Sequence, residues 1–170
     1  MVVAGTRREW EALDDADWWQ LAGELGQVVA EAGGAWLTMR AYEAGPGVDP
    51  AKPLPPARHV QVAAGRCTVI MDPMSDGRER FAAAMRNLAP NGTVDEKAVT
   101  GVLYEPADVE PDLVLVLGSP TRLPPSLVWE LAYSELVFVP VALADLGADH
   151  VRHAIAEFHG RQRRFGGLDS

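Results

Sequence analysis

The sequence predicts an α/β fold, a mostly parallel central sheet flanked by helices, and three observations carry that reading. Leu113 to Leu117 is an unbroken apolar run, LVLVL, between Asp112 and Gly118, as expected of a strand buried on both faces. Leu136 to Val141 is a second such run. Between them Pro124 and Pro125 suit a helix start, where a missing N–H costs nothing, and Ser126 to Tyr133 follows at helical spacing. Strand, loop, helix and strand in that order build a parallel sheet, and such sheets bind ligands at the carboxyl ends of their strands. The loop at that edge carries Arg122.

The rest of the chain supplies the flanking layers. Asp14 and Asp15 offer caps for a helix from Ala16 to Ala32, with Trp18, Leu21, Leu25, Val28 and Val29 as its apolar stripe and Gly33-Gly34 as its end. WLTMRAY, Trp36 to Tyr42, reads as the strand that follows. The strand expected before that helix is nearly absent, and Met1 to Gly5 is at best a stub of one. Glu43 to Pro56 is a loop rich in Gly and Pro. His59 to Ala63 and Cys67 to Met71 read as a hairpin-like pair of strands joined at Gly65-Arg66. Arg78 to Leu88 is a helix, and Val94 to Leu103 a second one, capped by Thr93 with Glu96 as its box partner. Asp149 to Arg164 forms the last helix, turning Val151, Ile155 and Phe158 inward.

Composition bounds the function. At 170 residues the chain is long enough for one domain, residues 1–170, with a real core. A formal net charge of −9 opposes nucleic acid or an anionic membrane as the main partner. The single Cys67 forms no internal disulfide and fits a reducing, cytoplasmic location. No apolar run approaches the roughly 20 residues of a membrane span. No Gly-x-Ser-x-Gly elbow accompanies Ser119, Ser126 or Ser134. His150 and His153, with Glu157 a turn on, share a helix face, but the bland reading is a solvated surface.

Asp112, Leu113, Gly118, Arg122, Trp129, Tyr133, Glu135 and Phe138 stand in one register, and the chain closes on Arg161, Arg163, Arg164, Phe165, Gly166 and Gly167. In these residues the sequence resembles the carboxy-terminal half of the cis-prenyltransferases, the undecaprenyl diphosphate synthase type. Gly77-Arg78 ahead of FAAAMRNLA resembles that family's middle Gly-Gly-Arg segment. The departures are equally specific. Val116 stands where the family has its first diphosphate-binding arginine, Pro120 where it has glutamate, and Pro124-Pro125 where it has Ser-Asn. Nothing before Trp18 resembles the Met-Asp-Gly-Asn loop whose aspartate holds magnesium in the family. Ile70-Met71-Asp72 lacks the Gly-Asn turn and reads as a decoy.

That resemblance, with its losses, implies a non-catalytic subunit of a heteromeric cis-prenyltransferase, the Nogo-B receptor-like type but without a membrane segment. On it Arg122 is a residual diphosphate contact, since a guanidinium offers phosphate two parallel bonds, against the bland reading of a solvated loop arginine. Arg164, Phe165 and Gly166 correspond to the Arg-x-Gly tail that reaches across the dimer to support the partner's isopentenyl diphosphate site. The bland reading of Arg161, Arg163 and Arg164 is a set of charges facing the helix dipole. Glu135 aligns with the magnesium-binding glutamate of the family but without its aspartate partner, and reads as structural. Trp129, Tyr133, Glu135 and Phe138 are the expected interface. The implied partner is a catalytic subunit, or a second copy of the chain. The chain has no cofactor of its own; magnesium belongs to the partner, whose lipid product keeps the complex peripheral to the membrane. Two alternatives stand beside this reading: a minimal self-sufficient prenyltransferase using the Asp72 segment, and a stand-alone binding or regulatory module with a degenerate site.

Overall fold

The structure, a computed structural model, describes residues 1–43, 58–62, 65–91, 94–107, 109–118, 123–127 and 129–165, with backbone alone for 59, 91 and 162–165. Six strands form one sheet in the order β3-β4-β2-β1-β5-β6. They are β1 Val2–Thr6, β2 Trp36–Tyr42, β3 Arg58–Val62, β4 Cys67–Asp72, β5 Leu113–Leu117 and β6 Glu135–Val139. All neighbours are parallel except β3, which pairs antiparallel with β4 as the hairpin the sequence suggests. The predicted α/β architecture is therefore the observed one.

Alternation along the strands divides the core between two faces. Val3, Leu37, Met39, Val69, Leu115 and Leu117 face one side, where α2 (Asp15–Glu31) and α5 (Ala148–Phe165) cover them. Ile70 faces the other side, under α3 (Gly77–Leu88) and α4 (Glu96–Tyr104). Val2, Ala4, Tyr42, Val114 and Val116 share that second face, beneath Leu127. Helix α2 approaches the sheet closely through Gly26, where an added Cβ would lie 2.2 Å from Val62 Cγ2 and 2.8 Å from Val69 Cγ2. Its cap is Asp14, which accepts from Asp17 N as the sequence suggests.

Three local expectations are corrected, and one short helix is added. Met1 to Gly5 is no stub: β1 is an inner strand, its Val2, Val3, Ala4 and Gly5 all buried. Its short apolar run, interrupted by Gly5, does not matter, because β2 and β5 hydrogen-bond it on both edges. It enters α1 (Arg7–Ala12), a short helix the sequence reading lacked, through a capping box in which Thr6 and Glu9 satisfy each other's backbone N–H. Helix α4 begins later than expected, capped by Asp95, which accepts from Ala98 N; Thr93, the expected cap, lies outside the described residues.

The predicted helix from Ser126 to Tyr133 is instead two 3-10 turns, Pro125–Leu127 and Glu130–Ala132. An α-helix would use the Ser126 carbonyl to accept from the N–H of Glu130. Here that carbonyl accepts from Arg80 Nη1 at 2.9 Å, and the Glu130 carboxylate is drawn inward to the same guanidinium at 2.7 Å. Leu127 and Leu131 still pack on the sheet, so the apolar spacing serves its purpose without the helix.

Candidate functional site

The carboxyl ends of β1, β2, β4, β5 and β6 lie along one edge, where a parallel sheet places its ligands. At the end of β1 no carboxylate projects. Gly5 faces Leu143, whose Cδ2 would lie 3.4 Å from a Cβ at that position. Glu9 accepts from Thr6 N at 2.8 Å, from Thr6 Oγ1 at 2.6 Å and from Leu143 N at 3.1 Å. Arg7 is buried beside Glu11 at 3.0 Å and Glu43 at 3.5 Å, and Glu43 also accepts from Ser75 Oγ at 2.7 Å. At the end of β2, Tyr42 donates its hydroxyl to the Leu117 carbonyl at 2.8 Å. Burial raises that phenol above its usual value of 10.0. Gly118 turns β5 away with φ +87°, its N–H donating to the Val139 carbonyl at 3.0 Å.

A resident magnesium does not fit these donors. The ion needs hard oxygen ligands with lone pairs to spare, and the carboxylates here are engaged in caps and ion pairs. Asp72 does reach the edge, at the end of β4, but Arg40 holds it at 3.1 Å while it also accepts from Met74 N at 3.0 Å. Among the described residues no group of three His, Cys, Asp or Glu could hold a metal ion.

The expected site residues fall in three places. Arg122 and Gly166 lie outside the described residues, and Arg164 and Phe165 are placed by backbone only, in the last turn of α5. Trp129 packs within its own chain, stacked on Phe81 with centroids 5.7 Å apart and donating Nε1–H to Glu110 at 3.0 Å. Tyr133 is 77% exposed and Phe138 36% exposed, beside and on the edge strand β6. Glu135, also on β6, lies 3.8 Å from Arg161. Arg161 is more than a charge facing a helix dipole. It donates to the Leu136 carbonyl at 2.9 Å and pairs with Glu157, tying the end of α5 to β6. His150 Nδ1 accepts from Gly147 N at 3.2 Å at the start of α5.

Sequence reading missed a buried ionic cluster under α3. Glu130 Oε1 accepts from Arg40 Nη1 at 3.3 Å and from Arg80 Nη2 at 2.7 Å, with all three side chains buried. Arg80 also lies 5.6 Å from the centre of the Tyr104 ring. Burial and then the neighbouring Arg80 charge lower Arg40 below the usual arginine value. It stays protonated all the same. The one signal in the sequence is Arg40 itself, a charge inside the strand WLTMRAY.

With this geometry in view, comparison with known proteins places the chain. Residues 61–166 match the prenyltransferase family model described as undecaprenyl diphosphate synthase. The chain belongs to the cis-prenyltransferase family. It is 36% identical over 111 residues to isoprenyl transferase 2 of Bradyrhizobium diazoefficiens, covering 61% of this chain and 44% of that one. It is 34% identical over 96 residues to an isoprenyl transferase of Caulobacter vibrioides, covering 56% of this chain and 37% of that one. The aligned stretch thus spans less than half the length of these relatives. In structure it resembles a probable undecaprenyl diphosphate synthase from Campylobacter jejuni, with a TM-score of 0.61 at 16% identity over 97% of both chains. That likeness concerns the fold. Among the described residues no helix is long and apolar enough to cross a membrane.

Proposed function

We propose that the chain is the non-catalytic subunit of a heteromeric cis-prenyltransferase, supporting polyprenyl diphosphate synthesis by a catalytic partner. The observation that carries this reading is the end of β1. There Gly5 packs on Leu143 and Glu9 closes a capping box, and no carboxylate is free to hold a metal diphosphate. Val116, buried in β5, removes a cationic handle at the same edge. What this chain contributes is then a surface and a tail. Tyr133 and Phe138 offer apolar area beside β6, next to Trp129 and Glu135 in sequence, and α5 ends on Arg164 and Phe165, which with Gly166 form the tail offered to the partner's isopentenyl diphosphate site. Arg122 is a residual diphosphate contact. Magnesium and elongation belong to the partner, and the complex works in the cytoplasm.

The second reading is a minimal self-sufficient homodimeric prenyltransferase. It is favoured by the relatives, which carry the names of active transferases, and by Asp72 at the carboxyl end of β4.

The discriminating experiment is prenyl transfer from isopentenyl diphosphate with magnesium, by the chain alone and when co-expressed with a catalytic homologue. The accessory reading expects no elongation alone and more in the complex than from the homologue by itself. Arg164→Ala should leave the complex intact and lower kcat/KM for isopentenyl diphosphate roughly tenfold to a hundredfold, the worth of one charge-assisted contact. Arg152→Ala, an exposed cation on the same helix, should leave it unchanged. Elongation by the isolated chain refutes the accessory role and moves the homodimer to the front.

A further inference from the structure

Between the second face of the sheet and helices α3 and α4 lies a recess of about 210 Å³, lined by Thr38, Arg40, Asp72, Arg80, Asn87 and Tyr104 among others. Arg40 is 2% exposed, Arg80 7% and Tyr104 4%, and all three carry a polar atom with no hydrogen-bond partner among the described residues: Arg40 Nε, Arg80 Nε and Tyr104 Oη. Buried donors in this state are rare, because each loses its hydration without a replacement. The neighbouring carboxylates do not relieve them. Both oxygens of Asp72 are engaged, one by Met74 N and one by Arg40 Nη2. Glu130 Oε1 meets both guanidiniums at their Nη atoms, Glu130 Oε2 meets no partner among the described residues, Glu130 does not line the recess, and Glu105, which does, is exposed. What these three buried groups offer is therefore hydrogen-bond donation next to two permanent positive charges.

We propose that this recess binds a small oxyanion, a phosphate or a carboxylate group, through Arg40 Nε–H, Arg80 Nε–H and the Tyr104 hydroxyl. The chemistry matches on each count. A guanidinium Nε–H and a phenol O–H are donors that no described acceptor engages here, and an anion in the recess would add to the Glu130 carboxylate that already lies between Arg40 and Arg80. A cation finds two guanidiniums, and an apolar ligand would leave the donors bare. Affinity is modest, because Asp72 and Glu130 already balance the two arginines; a Kd on the order of 1 mM is expected for inorganic phosphate. The proposal does not rest on the accessory-subunit reading, since the recess is built within this one chain.

The test follows the arginine Nε–H signals of the full chain, labelled with nitrogen-15, while sodium phosphate, sodium acetate or sodium chloride is added at equal ionic strength. Saturable shifts of the Arg40 and Arg80 signals with phosphate or acetate, and none with chloride, are expected. A preference for phosphate assigns a phosphoryl ligand, and equal response to acetate a carboxylate. Tyr104→Phe, which keeps the ring and removes one donor, should weaken binding about fivefold. Equal shifts with chloride, shifts confined to exposed arginines such as Arg78, or unchanged affinity in Tyr104→Phe would overturn the proposal. Tyr104→Phe retains the buried ring, so the outcome does not depend on an arginine variant that fails to fold.

Discussion

Removing Glu130 tests whether the ionic cluster holds the Pro125–Ala132 segment in place. Glu130→Ala leaves Arg40 with Asp72 at 3.1 Å and Arg80 with the Ser126 carbonyl at 2.9 Å, so each guanidinium keeps one partner and loses one. Breaking a buried pair from one side costs about 3–5 kcal/mol, and the partners that remain put this case near about 3. Against a typical total of about 5–15 kcal/mol that is a large share. It corresponds to a fall in Tm of about 6–12 °C for a chain of this size. Glu130→Gln keeps a neutral acceptor of the same shape and should cost less, about 1.5–3 kcal/mol. Urea denaturation gives both values, and amide hydrogen exchange within the segment reports its order. A loss under about 1 kcal/mol for Glu130→Ala, or equal losses for the two variants, would refute the reasoning.

Three further outcomes follow from particular contacts. Gly26→Ala drives a Cβ to within 2.2 Å of Val62 Cγ2 and should cost about 1–3 kcal/mol, with part of the loss recovered in the Gly26→Ala, Val62→Ala double variant; additive effects in the urea titration would count against close helix–sheet contact. Arg161→Ala should free the end of α5 from β6 for about 1 kcal/mol, since its side chain is 40% exposed, and raise amide exchange in the last turns of α5; protection unchanged there would exclude the tie. Burial holds the phenols of Tyr104 and Tyr42 above 10.0 and the Cys67 thiol above 9.0. Unfolding returns them to those values, so the unfolded chain loses its protons first as pH rises. The contribution of these three groups is full below about pH 9 and falls above it, and Tyr104→Phe should flatten the fall. Urea midpoints at about pH 7.5 and about pH 10.5 compare the two; a midpoint that does not move would contradict the burial of these groups.

Much of the architecture was legible in the residues because it depends on local pattern. LVLVL, WLTMRAY and the α2 stripe each name their own secondary structure, since burial on one or two faces imposes the spacing of apolar residues. The boundaries of β2 and β5, the β3–β4 hairpin and the Asp14 cap all emerge where the pattern puts them. The family resemblance was legible as well, because Asp112, Trp129, Tyr133 and Glu135 keep a linear spacing that needs no fold to be seen.

What tertiary structure alone decided are the features in which distant residues outvote local preference. Val2–Thr6 has too short an apolar run before Gly5 to announce an inner strand, and becomes one because β2 and β5 supply hydrogen bonds on both sides. Ser126 to Tyr133 has helical spacing, yet Arg80, 46 residues away from Ser126, takes the carbonyl the helix would need. The pairing of Arg40 with Glu130 spans 90 residues, so no window of sequence contains it. A periodic pattern records which face of an element is buried. It does not record which charge from elsewhere in the chain will be buried with it, and a buried charge takes its partners wherever the fold brings them.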